Sequence, residues 1–131
     1  MTSAAKALPA VLERIDADLD NSLNRLFDFV RIPSISTDSA YKDSCRAAAE
    51  FVAKDLTSLG FESAVRPTAG HPVVVAKSNG ATAANGGPRV LFYGHYDVQP
   101  VDPLNLWSTP PFEPRFDLPP AEQLILAKVR Q

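Results

Sequence analysis

At Gly60 the spacing of apolar residues changes, and with it the kind of structure the chain can form. Up to that point apolar side chains recur every three or four residues, the mark of helices that bury one face. From Phe61 onward they come in short, β-branched or aromatic runs, the mark of strands. Residues 9–31 place Val11, Ile15, Leu19, Leu23, Leu26, Phe27 and Val30 on one stripe, with Glu13, Arg14, Asp16, Asp18, Asp20 and Arg25 on the other side. This pattern predicts one amphipathic helix, with Pro9 in its first turn and Pro33 as its stop. Residues 43–59 predict a second helix on the stripe Ala48, Phe51, Val52, Leu56 and Leu59, with Gly60 as its C-terminal stop.

Three strands follow in the prediction: 61–66, 72–77 (PVVVAK) and 89–93 (RVLFY). The last two are almost continuously apolar, as strands covered on both faces are. Between them residues 78–88 (SNGATAANGGP) form a small-residue connector. Two helices followed by three strands predict an α/β or α+β layer structure. Prolines then crowd the chain from Pro100 onward, where regular pattern gives way to loop. Trp107, Phe112 and Phe116 are the apolar anchors available there. The last residues admit a short helix opened by Pro120, with Leu124, Ile125 and Val129 as its apolar side.

Length and charge narrow the function classes. A chain of 131 residues is one domain's worth. Its net charge of −2 leaves no basic footprint for nucleic acid. No apolar stretch is long enough to span a membrane, and the N-terminus has no apolar signal core, which predicts a cytoplasmic protein. Cys45 is the only cysteine, so neither an intrachain disulfide nor a cysteine-built zinc cluster is available. It is expected to be a small residue on a helix.

The chemistry lies in residues 90–100, VLFYGHYDVQP. An apolar run ends at Gly94, which permits a sharp departure from the strand and close approach by another group. His95 and Asp97 follow, two residues apart, so an extended backbone points both to one side and turns Tyr96 away. Metal-binding imidazoles usually give their other ring N–H to a carboxylate or carbonyl, which fixes the tautomer. Asp97 suits that role beside His95. On spacing alone a satisfied loop histidine explains the pair better than a metal ligand does. His71, without a motif around it, reads as a surface loop histidine.

The surrounding residues carry a resemblance. Tyr93-Gly94-His95-Tyr96-Asp97-Val98-Gln99-Pro100 resembles the metal signature of the zinc peptidase and deacylase family, which includes acetylornithine deacetylase, succinyl-diaminopimelate desuccinylase, aminoacylase, glutamate carboxypeptidase and cytosolic dipeptidases. Arg31-Ile32-Pro33-Ser34-Ile35-Ser36 looks like the family's turn after its first helix, and Leu59-Gly60-Phe61 like the end of its second. Trp107 followed by Pro111-Phe112 looks most like the dipeptidase branch. The resemblance covers roughly residues 8–116. It implies an α/β mixed-sheet catalytic domain with two zinc ions, His95 as a ligand to one of them and Asp97 as the carboxylate supporting that histidine. It implies hydrolysis of a peptide or N-acyl amide bond in a dipeptide or N-acyl amino acid, by metal-activated water and a glutamate base. Tyr93, Tyr96, Val98 and Pro100 are then expected to be packing residues. Trp107 is expected to be a structural anchor, with a place at the substrate entrance as the other option.

The same resemblance shows departures. The family's Gly-Arg-Gly…Asp-Asp-Lys-Gly stretch, which brings the metal-bridging aspartate, has no counterpart after Pro111-Phe112. No two glutamates are adjacent, although the family's base and a further ligand come from a Glu-Glu pair. Asp102, Glu113, Asp117 and Glu122 follow the motif, but none has ligand spacing. Residues 1–117 are therefore expected to be the N-terminal part of a truncated catalytic domain. Residues 118–131 form a tail unlike the family, and the lid and dimerisation domain is expected to be absent. Such a chain is expected to be inactive alone; the alternative is a non-catalytic remnant or a misfolding-prone truncated product.

Overall fold

The computed structural model describes residues 3–78 and 90–115. Two helices, α1 (Ser3–Ala17) and α2 (Leu19–Val30), replace the single helix predicted over 9–31. The break falls at Asp18, whose backbone (φ −108°, ψ 11°) leaves the helical region. Asn21 Nδ2 donates to Asp18 Oδ1 at 2.8 Å. The Asp18 carboxylate thus bonds a side chain of α2, and makes no cap bond to the helix backbone. Pro9 lies inside α1 rather than in its first turn, and removes one helical hydrogen bond there. The apolar stripe of α1 (Leu8, Val11, Leu12, Ile15) stays at least half exposed.

After α2 the chain turns through residues 31–38, and the Asp38 carboxylate accepts the Ala40 N–H at 2.9 Å to open a short 3-10 turn, Ser39–Tyr41. Helix α3 (Lys42–Ser58) follows at once. Three alanines and a cysteine in its first half give it high propensity and a thin inner face. Cys45, Ala48 and Ala49 are fully buried on that face. Gly60 ends the helix with φ +87°, a left-handed conformation that glycine alone adopts without strain.

Strands β1 (Phe61–Arg66) and β2 (Val73–Ser78) form a two-stranded antiparallel sheet, in register from Phe61 opposite Ser78 to Arg66 opposite Val73. Helix α3 packs across both strands. Helix α2 leans on α3 through the stacked rings of Phe29 and Phe51, centroids 5.4 Å apart, and through a 3.8 Å ion pair of Arg25 with Asp55. That pair is half exposed and contributes little.

Two strand expectations change. Strand β2 is not covered on both faces: Val73 and Val75 are about half exposed. The predicted third strand is not paired over its described residues; Leu91, Phe92 and Tyr93 are 92, 91 and 95% exposed. An apolar run becomes a buried strand only when neighbours supply ladder partners and cover, and among the described residues none does so for 90–93. Tyr93 is therefore not a packing residue. Arg89 and most of the connector, with Phe116, Asp117 and the tail 118–131, lie outside the described residues. Past Pro100 the described chain is loop with one short 3-10 turn, Leu104–Leu106, as predicted from its prolines. No helix among the described residues is long and apolar enough to cross a membrane.

Candidate metal-ligand site

Three segments distant in sequence meet around His95. The first is the turn after α2, residues 34–36. The second is the β1–β2 connection, where Thr68 accepts the Gly70 N–H at 3.0 Å and donates to the His71 carbonyl at 2.6 Å. The third is the motif itself, residues 94–98.

The first and third segments pair side by side. Ile35 and Val98 form a parallel bridge, and the Val98 N–H donates to the Ser34 carbonyl at 3.0 Å. Ser34 Oγ donates to the Tyr96 carbonyl at 2.9 Å. Ser34 and Ile35 are buried, so this seam is the driest part of the site. The alternation polar–apolar–polar in Ser34-Ile35-Ser36 places both serines on one side of the chain. They face the motif and tie it at two points.

The second tie reaches the chemistry. Ser36 Oγ donates to Asp97 Oδ2 at 2.6 Å. The other carboxylate oxygen of Asp97 lies 3.2 Å from His95 Nδ1, and the Asp97 carbonyl lies 2.9 Å from the same nitrogen. Both partners are acceptors, so His95 Nδ1 carries the proton and Nε2 keeps its lone pair. The His95 side chain is 78% exposed, which leaves Nε2 accessible. The two residues thus do face one site. The Ser36 bond is the chief reason that the Asp97 carboxyl titrates below the ordinary aspartate range; its own backbone and His95 add to this, against partial burial.

Tyr96, between them, sends its hydroxyl to the Pro72 carbonyl and is half-buried. Burial raises its phenol above the usual range, and the neighbouring Cys45 and Asp97 push the same way. The Cys45 thiol is raised by burial first and by Asp97 second. It is the small helical residue expected, placed directly behind the motif.

His71 corrects its expectation. It is half-buried rather than a surface residue, and its Nε2 lies 2.7 Å from the Ser36 carbonyl. A carbonyl only accepts, so Nε2 is the protonated nitrogen. Nδ1 is then a buried acceptor with no hydrogen-bond partner among the described residues, a state that costs about 1–3 kcal/mol. His71, Ser36, Tyr96, His95 and Asp97 line one cleft of about 710 Å³, walled by Phe29, Val52, Leu56 and Val74.

Gly94 is not used as expected. Its φ is not positive, and a Cβ there would meet no described atom within 4 Å. Trp107 is half exposed and anchored, its Nε1 donating to the Val101 carbonyl at 2.8 Å. With Pro111 and Phe112 it lines a second, apolar cleft of about 360 Å³ on the other side of Tyr96. Val98 is 41% exposed and Pro100 is exposed, so neither is a buried packing residue, and Val98 ties the motif through its backbone.

His95 fits a metal through one nitrogen. Asp102 and Glu113 are exposed, and Asp117 and Glu122 lie outside the described residues. Among the described residues no group of three or more His, Cys, Asp or Glu side chains sits close enough to hold a metal ion. The described residues therefore bring one imidazole and one carboxylate together at the motif, and no closed metal site.

Known proteins resemble this chain in sequence and fold. No protein-family model matches the chain. It is 28% identical over 119 residues to a Cys-Gly metallodipeptidase of Saccharomyces cerevisiae and 31% identical over 116 residues to that of Schizosaccharomyces pombe. These alignments cover 82% and 81% of the chain but 24% of either relative. A succinyl-diaminopimelate desuccinylase of Burkholderia pseudomallei is 42% identical over 59 residues, 45% of this chain and 15% of that enzyme. Among solved structures, the dipeptidase Dug1p of Saccharomyces cerevisiae superposes with a TM-score of 0.68 at 27% identity, over 82% of this chain and 24% of that one. The chain thus spans about a quarter of the length of these dipeptidases.

Proposed function

The chain resembles, in sequence and in fold, the N-terminal part of the zinc peptidase and deacylase family, and we propose that it carries the first metal ligand of a dipeptidase-type hydrolase. His95 is that ligand, through Nε2. Asp97 holds the ring by its Nδ1–H. The substrate class is a dipeptide or N-acyl amino acid, in keeping with the Cys-Gly dipeptidase activity in the names of the relatives.

One observation carries this proposal: the protonated Nδ1 of His95 is shared by the Asp97 carboxylate and carbonyl, while the side chain that carries Nε2 is 78% exposed. Metal-binding histidines are oriented this way. A zinc ion bound there would polarise an amide carbonyl and acidify a bound water. The chain's own residues hold the histidine and its tautomer, and the cleft beside it is mostly apolar with a polar end at His71, Ser36 and Asp97.

The 131 residues alone hydrolyse no dipeptide in this proposal. The chain has two histidines, one of them half-buried with its Nε2 bonded to Ser36, and its single cysteine is buried. One imidazole does not make a closed zinc site. The experiment is a cobalt or zinc titration of the purified chain followed by NMR. Weak binding should broaden or shift the His95 ring signals, and His95→Ala should abolish it. Tight stoichiometric binding that survives His95→Ala, or dipeptide hydrolysis by this chain with zinc, would refute the proposal.

A further inference from the structure

We infer that His71 is a positioning residue for His95, acting through Ser36 and Asp97. The observations form one continuous path. His71 Nε2–H donates to the Ser36 carbonyl at 2.7 Å. The same Ser36 donates from Oγ to Asp97 Oδ2 at 2.6 Å. The other Asp97 oxygen receives His95 Nδ1–H at 3.2 Å. Every link runs donor to acceptor, and each acceptor is a group that cannot itself donate.

The path has a structural reason to exist. Residues 34–36 follow α2 without regular structure, apart from the single bridge at Ile35. The Ser36 hydroxyl can point at Asp97 only while its backbone is held. On one side the Ile35–Val98 bridge holds it; on the other, His71 does. His71 is itself set by the hairpin turn, where Thr68 bonds its carbonyl. The hairpin is packed on α3, so the histidine connects the most regular part of the fold to the motif.

His71 Nδ1 points to the same assignment. It is buried without a partner among the described residues, an unfavourable state that an exposed or merely filling side chain would not need. Among the described residues, the bond made by Nε2 is the one contact of His71 that calls for a ring nitrogen.

The consequence for catalysis rests on the proposal that His95 binds metal, but the path itself does not. Its test therefore reads the tautomer of His95 in the metal-free chain. Long-range ¹H–¹⁵N NMR of the neutral imidazole gives the ratio of Nδ1–H to Nε2–H forms. Wild type should be mainly Nδ1–H. Ser36→Ala should lower the ratio severalfold, and His71→Leu should lower it in the same direction. His71→Gln, whose amide nitrogen can reach the Ser36 carbonyl, should restore it. Ser36→Ala with His71→Leu should do no more than Ser36→Ala alone, as expected for residues on one path. A folded His71→Leu chain with the wild-type ratio would overturn the inference, as would additive effects in the double variant. If His71→Leu fails to fold, Ser36→Ala still decides, since an unchanged ratio there breaks the last link. Failure of His95 to bind metal would leave all these outcomes unaffected.

Discussion

Ser36 Oγ and Asp97 Oδ2 lie 2.6 Å apart although 61 positions separate the two residues in the chain. This bond is the main reason the Asp97 carboxyl titrates below the ordinary aspartate range. Ser36→Ala should bring the Asp97 titration back toward the ordinary aspartate range. It should destabilise the chain by about 1 kcal/mol, less than the roughly 1.5–3 kcal/mol of a bond to a charged group, because the Asp97 side chain is 40% exposed to solvent screening. NMR titration of the carboxyl and urea unfolding measure the two effects. An unmoved titration would show that the bond does not persist in solution.

Stability should fall at both ends of the pH range, for opposite reasons. The Asp97 carboxyl is lowered in the folded state, so its contribution is present above the ordinary aspartate range and is lost as pH falls through its native value. The Cys45 thiol and Tyr96 phenol are raised from 9.0 and 10.0. Their contribution is complete below those values and disappears as pH rises through the higher native ones. The urea midpoint should therefore plateau near neutral pH and decline on each side. Phe in place of Tyr96 should flatten part of the alkaline decline; an alkaline limb identical to wild type would remove Tyr96 from the account.

Cys45 should be a silent thiol. It is 0% exposed and its thiolate is disfavoured by burial and by Asp97. A thiol reagent should modify it at the rate of opening of α3, and the rate should rise with denaturant. Rapid labelling of the native chain would contradict the packing of α3 against the motif.

Gly60→Ala should cost about 1 kcal/mol. The cost is purely conformational, since φ is +87° and an added Cβ meets no described atom within 4 Å. Gly60→Asn should cost less, because asparagine tolerates the left-handed region. Equal stability of all three proteins would mean that the helix ends differently.

Leu91→Lys should raise solubility without lowering stability. The side chain is 92% exposed, so its replacement removes almost no burial and should change the urea midpoint within about 0.5 kcal/mol. It interrupts an exposed apolar run whose backbone is unpaired among the described residues, an arrangement that invites association. Static light scattering against concentration should show the gain; a loss of cooperative unfolding would show that the segment is buried in solution.

Much of the α3–β1 region was legible in the sequence. The predicted 43–59 and 61–66 stand beside Lys42–Ser58 and Phe61–Arg66, because alanine-rich periodicity, Gly60 and the change of period all act locally. The break at Asp18 was hidden, since the apolar stripe runs through it without interruption. Apolar content predicts a strand over 89–93, but content says nothing about whether a neighbour is there to pair. At the site, His95 and Asp97 stood out by their spacing. Ser36 and His71 did not: their partners are long-range, and neither sits in a pattern that points to the other. The alternation Ser34-Ile35-Ser36 was the one local hint that this turn lies alongside another extended segment.

The seam between residues 34–36 and 96–98 also bears on how the molecule is assembled. Its side-chain ties, Ser34 to Tyr96 and Ser36 to Asp97, each close a span of more than sixty residues, whereas α3 and the hairpin are built from near neighbours. Contacts of high sequence separation form slowly, because chain entropy is lost before they are made. The helix–hairpin unit should thus appear first in folding, and the histidine turn should be fastened to it last. The reverse step is then the least demanding partial unfolding open to the chain. Hydrogen exchange at the Val98 amide, bonded to Ser34, should be faster than in the middle of α3.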